Sequence, residues 1–154
     1  MGDRVLRAVE IGREEGLHYI CVGNLPGAGY EDTHYFLWFI AGSEQLSATA
    51  RALIEDESNQ VFLSVGSLWE MAIKASLGRL QLAQPFEILI PEHLRLNSIS
   101  LLNITVKHAV QIAAMPFHHR DPFDRLLVAQ AQVEGMQVVG LDAGLDAYGI
   151  NRLW

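Results

Sequence analysis

Short apolar runs alternate along this chain with capped, helix-periodic segments, and few architectures can bury such a pattern. Val61-Phe62-Leu63-Ser64-Val65 reads as a buried strand, and Ser67-Leu68-Trp69-Glu70 then opens a helix through Met71, Ile73 and Leu77 that Gly78 ends. Ile99 to Ile104 reads as a strand, and Thr105 caps a helix through Val106, Val110, Ile112 and Met115. Asp121 and Pro122 read as N-cap and first residue of a helix that ends near Gly135, with Gln137-Val138-Val139 a further strand leading to Asp142. Upstream, Tyr35 to Ile40 is a short helix closed by Gly42, and Ser47 caps another that runs to about Glu55. Pro85 to Leu96 is expected to be helical but broken or restarted near Pro91, and Ile150 to Trp154 to be a last strand. Strands alternating with helices call for an α/β fold whose parallel sheet is covered on both faces.

Size and composition agree with one packed domain. The chain has 154 residues, half of them hydrophobic, which argues against disorder. Its longest apolar runs, such as Phe36 to Ala41, are too short to span a bilayer, and no signal-peptide pattern opens it, so a cytoplasmic protein is the default expectation. Cys21 stands alone, which rules out an intrachain disulfide and a cysteine-based zinc site and leaves it as a small hydrophobe. A net charge of −7 disfavours broad electrostatic attachment to nucleic acid, yet permits a nucleic-acid enzyme whose acids surround a cation.

Four acids carry the chemistry. Glu70 and Asp142 follow strands, Asp124 begins a helix and Asp32 precedes one. In an open parallel sheet, ligands bind beyond the carboxyl ends of the strands, where all four can converge. Gathered carboxylates need a cation, and an all-oxygen set favours Mg²⁺ or Mn²⁺ over Zn²⁺. Phosphodiester hydrolysis is the natural reaction class. Each acid also has a plainer reading taken singly. Ser67-x-x-Glu70 fits a capping box, Asp121 and Asp124 suit cap and first-turn positions, Asp142 is an ordinary turn acid and Asp32 an N-cap.

Asp32-Thr33-His34 with Leu37-Trp38, Ser67-Leu68-Trp69-Glu70-Met71-Ala72-Ile73-Lys74 with Leu77-Gly78-Arg79-Leu80, His119-Arg120-Asp121-Pro122-Phe123-Asp124-Arg125, and Asp142 ahead of Tyr148-Gly149 together resemble a PIN-domain protein of the VapC-type toxin branch, over about Glu31 to Trp154. The resemblance implies a three-layer α/β/α fold, Mg²⁺ or Mn²⁺, single-strand-directed endoribonuclease activity, a homodimer and inhibition by a small antitoxin. It places the family's acidic positions at Asp32, Glu70, Asp124 and Asp142, with Asp121 in the branch's extended motif as a further candidate for the metal. The alternative is a catalytically impaired binding or remnant module that keeps dimer or antitoxin contacts.

The N-terminus departs from that pattern. Such domains run a hydrophobic strand straight into the first Asp, whereas Gly27-Ala28-Gly29-Tyr30-Glu31 precedes Asp32 here, and the nearest strand-like run is His18 to Val22. Gly12 to Gly27 with Glu31-Asp32-Thr33 resembles the tail of a radical-SAM activating enzyme, without that enzyme's barrel or cluster cysteines. Residues 1–30 are therefore read as an extension of fusion-like origin, with Val5 to Ile11 able to form an amphipathic helix, and 31–154 as the nuclease domain. Among other side chains, His118 and His119 read as exposed loop groups and His34 as a packing or solvent residue. Lys74, Arg79 and Arg125 read as solvated charges, and Trp38 and Trp69 as core.

Overall fold

A computed structural model describes residues 18–23 and 35–154. Asp32, His34, the segment Val5 to Ile11 and most of the stretch resembling a radical-SAM enzyme lie outside the described residues. The elements in chain order are β1 (His18–Val22), α1 (Tyr35–Ile40), α2 (Ala48–Glu55), β2 (Asn59–Ser64), α3 (Val65–Ser76), α4 (Phe86–Leu96), β3 (Ser100–Leu102), α5 (Val106–Ala114), α6 (Pro122–Glu134), β4 (Gln137–Val139), a 3₁₀ helix (Ala143–Tyr148) and β5 (Arg152–Leu153).

Among the described residues the strands form one parallel sheet in the order β3-β2-β1-β4-β5. β1 is its centre. Ile20 pairs with Val61 on one side and with Gln137 on the other. The alternating side chains of the strands feed two cores, as a sheet covered on both faces requires. Ile20, Val22, Val61, Leu63 and Val139 pack with α1, α2, Met71 of α3 and Ile90 of α4. Tyr19, Cys21, Phe62, Leu102 and Val138 pack on Leu127 and Ala131 of α6. Three layers result. Cys21 is fully buried, and burial pushes its thiol up to about 12, in keeping with a role as a small hydrophobe. No helix among the described residues is long and apolar enough to cross a membrane.

Local chemistry explains most boundaries, although β3 and β5 are shorter than the sequence reading, β2 is shifted to Asn59–Ser64, and two helices differ from it. Ser47, Thr105 and Asp121 cap their helices as expected, and Gly135 ends α6 in the left-handed region at φ 64°. α3, however, starts at Val65 because Ser64 is its N-cap and accepts the Gly66 N–H. Ser67 therefore lies inside the helix, and the capping-box reading of Glu70 falls: Glu70 is in the second turn. α4 runs unbroken through Pro91.

Two residue assignments are also corrected. Trp69 is 61% exposed, because its place on α3 turns it away from both cores, while Trp38 packs at the margin of the first. Arg125 is buried at 6% exposure. Its guanidinium donates to the carbonyls of Pro116 and Ile112 at 3.0 and 3.1 Å and to the Tyr148 hydroxyl at 3.1 Å, with the Phe117 ring 4.1 Å away. Three of the five guanidinium N–H groups therefore have acceptors inside the protein.

The topology fixes where a ligand belongs. From β1 the chain steps outward to β2 and β3, then returns to the far side of β1 for β4. The switch point therefore lies between the carboxyl ends of β1 and β4, where the Gly23 N–H bonds the Val139 carbonyl at 2.8 Å.

Candidate metal centre

Three side chains from two segments meet just beyond that switch point. His119, Asp124 and Asp142 each offer a ligand-type atom, and those atoms lie within 4.8 Å of one another. Asp142 follows β4 and caps the 3₁₀ helix, its Oδ1 accepting the Gly144 N–H at 2.8 Å. A Cβ at Gly144 would lie 3.0 Å from that oxygen, so any side chain there would press on the carboxylate. Asp124 sits in the first turn of α6, where the helix N-terminus faces it. His119 donates from Nε2 to Asp142 Oδ2 at 3.0 Å and lies 3.6 Å from Asp124 Oδ2.

The carboxyl group of Asp124 reports what surrounds it. It is 4% exposed, and its pKa is raised from 3.8 to about 7. Burial is the largest cause, the charge of Asp121 the next. His119 opposes the rise, and Glu70 and Asp142 add to it. Glu70 thus acts on Asp124 from α3 through its charge, and its Oε1 pairs with Lys74 at 3.1 Å. This pairing replaces the solvated reading of Lys74. Asp121 Oδ1 accepts the N–H groups of Phe123 and Asp124, so this carboxylate caps α6. Of the acids singled out from sequence, the structure brings Asp124 and Asp142 together with His119. Glu70 and Asp121 act on Asp124 through their charges without joining that cluster, and Asp32 falls outside the described residues.

Such a centre suits a hard divalent cation. Acids that raise one another's pKa destabilise the ionised site, and a cation bound among them reverses that penalty. Asp142 also retains lone pairs after accepting from Gly144 and His119.

Neighbouring side chains hold the frame. The Tyr35 hydroxyl, at the start of α1, accepts the Leu141 N–H at 2.7 Å beside Asp142. Burial first, then the charges of Asp142 and Asp124, push that hydroxyl up to about 12 against the Leu141 bond. Tyr148 at the far end of the 3₁₀ helix accepts the N–H groups of His118 and His119 at 3.0 and 2.9 Å. Sequence reading placed His119 on an open loop. Its partner Asp142 is distant along the chain, so the available signal was only its place next to the acidic motif.

Comparison with known proteins agrees with this geometry. A family model described as PIN domain matches residues 30–151. The chain is also 34% identical over 58 residues to Ribonuclease VapC16 of Mycobacterium tuberculosis (strain ATCC 25618 / H37Rv), a match spanning 38% of this chain and 41% of that protein.

Proposed function

The chain belongs to the PIN-domain family, and from that premise we propose that it is a Mg²⁺- or Mn²⁺-dependent endoribonuclease, the toxin of a toxin–antitoxin pair. The observation that carries the reading is the meeting of the Asp124 and Asp142 carboxyls with His119 at the sheet's switch point, their ligand-type atoms within 4.8 Å of one another. Burial and the charges of Asp121, Glu70 and Asp142 raise the Asp124 carboxyl to about 7. Asp124, Asp142 and Glu70 would hold the cation, with Asp121 as a further donor. Asp32 is proposed as the fourth carboxylate. The resemblance supports this, since Asp32-Thr33-His34 matches the family's first acidic motif. When bound, the cation would polarise the phosphodiester and neutralise charge developing on its oxygens. The chain's own part is to hold the carboxylates: Gly144 and His119 fix Asp142, and Asp121 fixes the first turn carrying Asp124.

The substrate is proposed to be single-stranded RNA, and the exposed ring of Trp69 supports this, for it adjoins Glu70 and meets Phe123 edge-on at 5.8 Å. A ring beside the carboxylates can stack an unpaired base. Trp69→Ala is expected to weaken binding of a short single-stranded RNA roughly tenfold in a fluorescence-anisotropy titration, because one base stack is worth about 1–3 kcal/mol. An unchanged affinity would remove Trp69 from the substrate path. The protein partners carried by the resemblance are a small antitoxin and a second copy of this chain, and a cytoplasmic location goes with them. Residues 1–30 as an extension of separate origin remain part of the proposal, although β1, drawn from them, is the centre of the sheet.

The test is divalent-ion dependence. Binding must displace the Asp124 proton below pH 7, so apparent Mn²⁺ affinity is expected to rise up to about tenfold per pH unit towards pH 7 and then level off. Thermal denaturation with graded Mn²⁺ at several pH values reads this, and RNA cleavage with Mn²⁺ against chelator follows. No stabilisation at any pH would favour the second reading, an impaired module. One observation supports that alternative: β1 ends at Val22 and is followed by Gly23, so Asp32 does not directly succeed the central strand.

A further inference from the structure

His119 has the makings of a nitrogen ligand, yet the hydrogen bonds around its ring argue otherwise. The backbone N–H of Asp121 donates to His119 Nδ1 at 3.2 Å. A backbone amide has only a proton to offer, so Nδ1 carries the lone pair and Nε2 carries the ring's hydrogen. That hydrogen points to Asp142 Oδ2 at 3.0 Å, with Asp124 Oδ2 at 3.6 Å. The two ring nitrogens are thereby committed, one as acceptor and one as donor. For Nε2 to bind a cation, its proton would have to leave or move to Nδ1, against the Asp121 N–H.

The main chain makes this orientation stiff. The N–H groups of His118 and His119 both end on the Tyr148 hydroxyl, which also receives Arg125, and the His118 ring packs edge-on against Tyr148 at 5.0 Å. Tyr148 closes the 3₁₀ helix that Asp142 opens. One short element therefore fixes the acidic group at one end and the loop carrying the imidazole at the other.

Resting on the metal-dependent reading above, we propose that His119 is a positioning residue that orients the Asp142 carboxylate from outside the cation's ligand set. The centre is thus left with oxygen donors alone. An all-oxygen centre has no imidazole to favour the later transition metals over Mg²⁺.

Nitrogen-resolved NMR of the ion-free wild-type protein reads the tautomer directly, with a protonated Nε2 and a bare Nδ1 expected. On titration with Mg²⁺ the Nε2 proton should stay in place. Its loss on binding would overturn the proposal, and so would a protonated Nδ1 in the ion-free state. If Mg²⁺ moves no resonance of the site, the metal-dependent reading fails instead, while the ion-free spectrum still decides the tautomer. His119→Ala supplies a second measure. Mg²⁺ and Co²⁺ affinities should fall together by roughly tenfold, as when a ligand's orienting partner is removed. Their ratio should hold within about threefold, whereas a collapse confined to Co²⁺ would mark a lost nitrogen ligand.

Discussion

Replacing Asp124 with asparagine is expected to stabilise the ion-free protein at pH 8 and to abolish cleavage at the same stroke. The carboxyl of Asp124 has its pKa raised from 3.8 to about 7, so between those values the folded state holds a proton that the unfolded state has lost. Stability from this group therefore falls as pH rises through that window, and the full cost is present above pH 7. Three pKa units set an upper bound of about 4 kcal/mol on that cost. An asparagine side chain carries no charge to desolvate and keeps the same shape. Urea denaturation in the presence of chelator should show the variant ahead by about 2–4 kcal/mol at pH 8 and nearly level with wild type at pH 4. A gain that does not grow with pH would mean the carboxyl is not the source. The same variant should lose its response to Mn²⁺ and about a thousandfold in cleavage rate, the scale of several kcal/mol of charge stabilisation. Stability and function oppose each other at this residue.

Arg125→Ala should be the most damaging change away from the acids. Its guanidinium satisfies the Pro116 and Ile112 carbonyls and the Tyr148 hydroxyl while covering the Phe117 ring, all at 6% exposure. Truncation strands those acceptors and opens a void, an expected loss of about 3–5 kcal/mol. For a chain of this length the midpoint of thermal unfolding should then drop by roughly 10 °C. Arg125→Lys should recover less than half of that, since an ammonium is a point charge that cannot span the same acceptors. If Lys restores the midpoint fully, charge alone was holding the loop. The damage should reach the carboxylates too, because Tyr148 carries the N–H groups of His118 and His119.

What could be read in advance divides along a physical line. Elements set by neighbours in sequence were legible: Ser47, Thr105 and Asp121 as caps, Gly135 as a left-handed stop, and the apolar runs that became β2, β3 and β4. Features decided by distant packing were not. Whether α3 begins after Ser64 or after Ser67 moves only Val65 of the apolar residues between strand and helix, so the pattern could not choose between two serine caps. Arg125 looked solvated because its acceptors are carbonyls of α5 and the loop after it, which carry no side-chain signal. Trp69 looked like core because the stripe Trp69, Ile73 and Leu77 is apolar, yet all three are exposed. Asp124 and Asp142 were singled out in advance among the acids of a resemblance, whereas the contact of His119 depended on a partner 23 positions away.

The central position of β1 separates the two sides of the sheet in time. His18–Val22 leaves the ribosome more than a hundred residues before its second neighbour β4. Ile20 has no Gln137 to pair with until that stretch is made, and Asp124 and Asp142 arrive with it. Until then a nascent chain carries a bare strand edge and cannot assemble the carboxylate cluster. If the molecule is a ribonuclease, its own messenger is spared until Asp142 has been made.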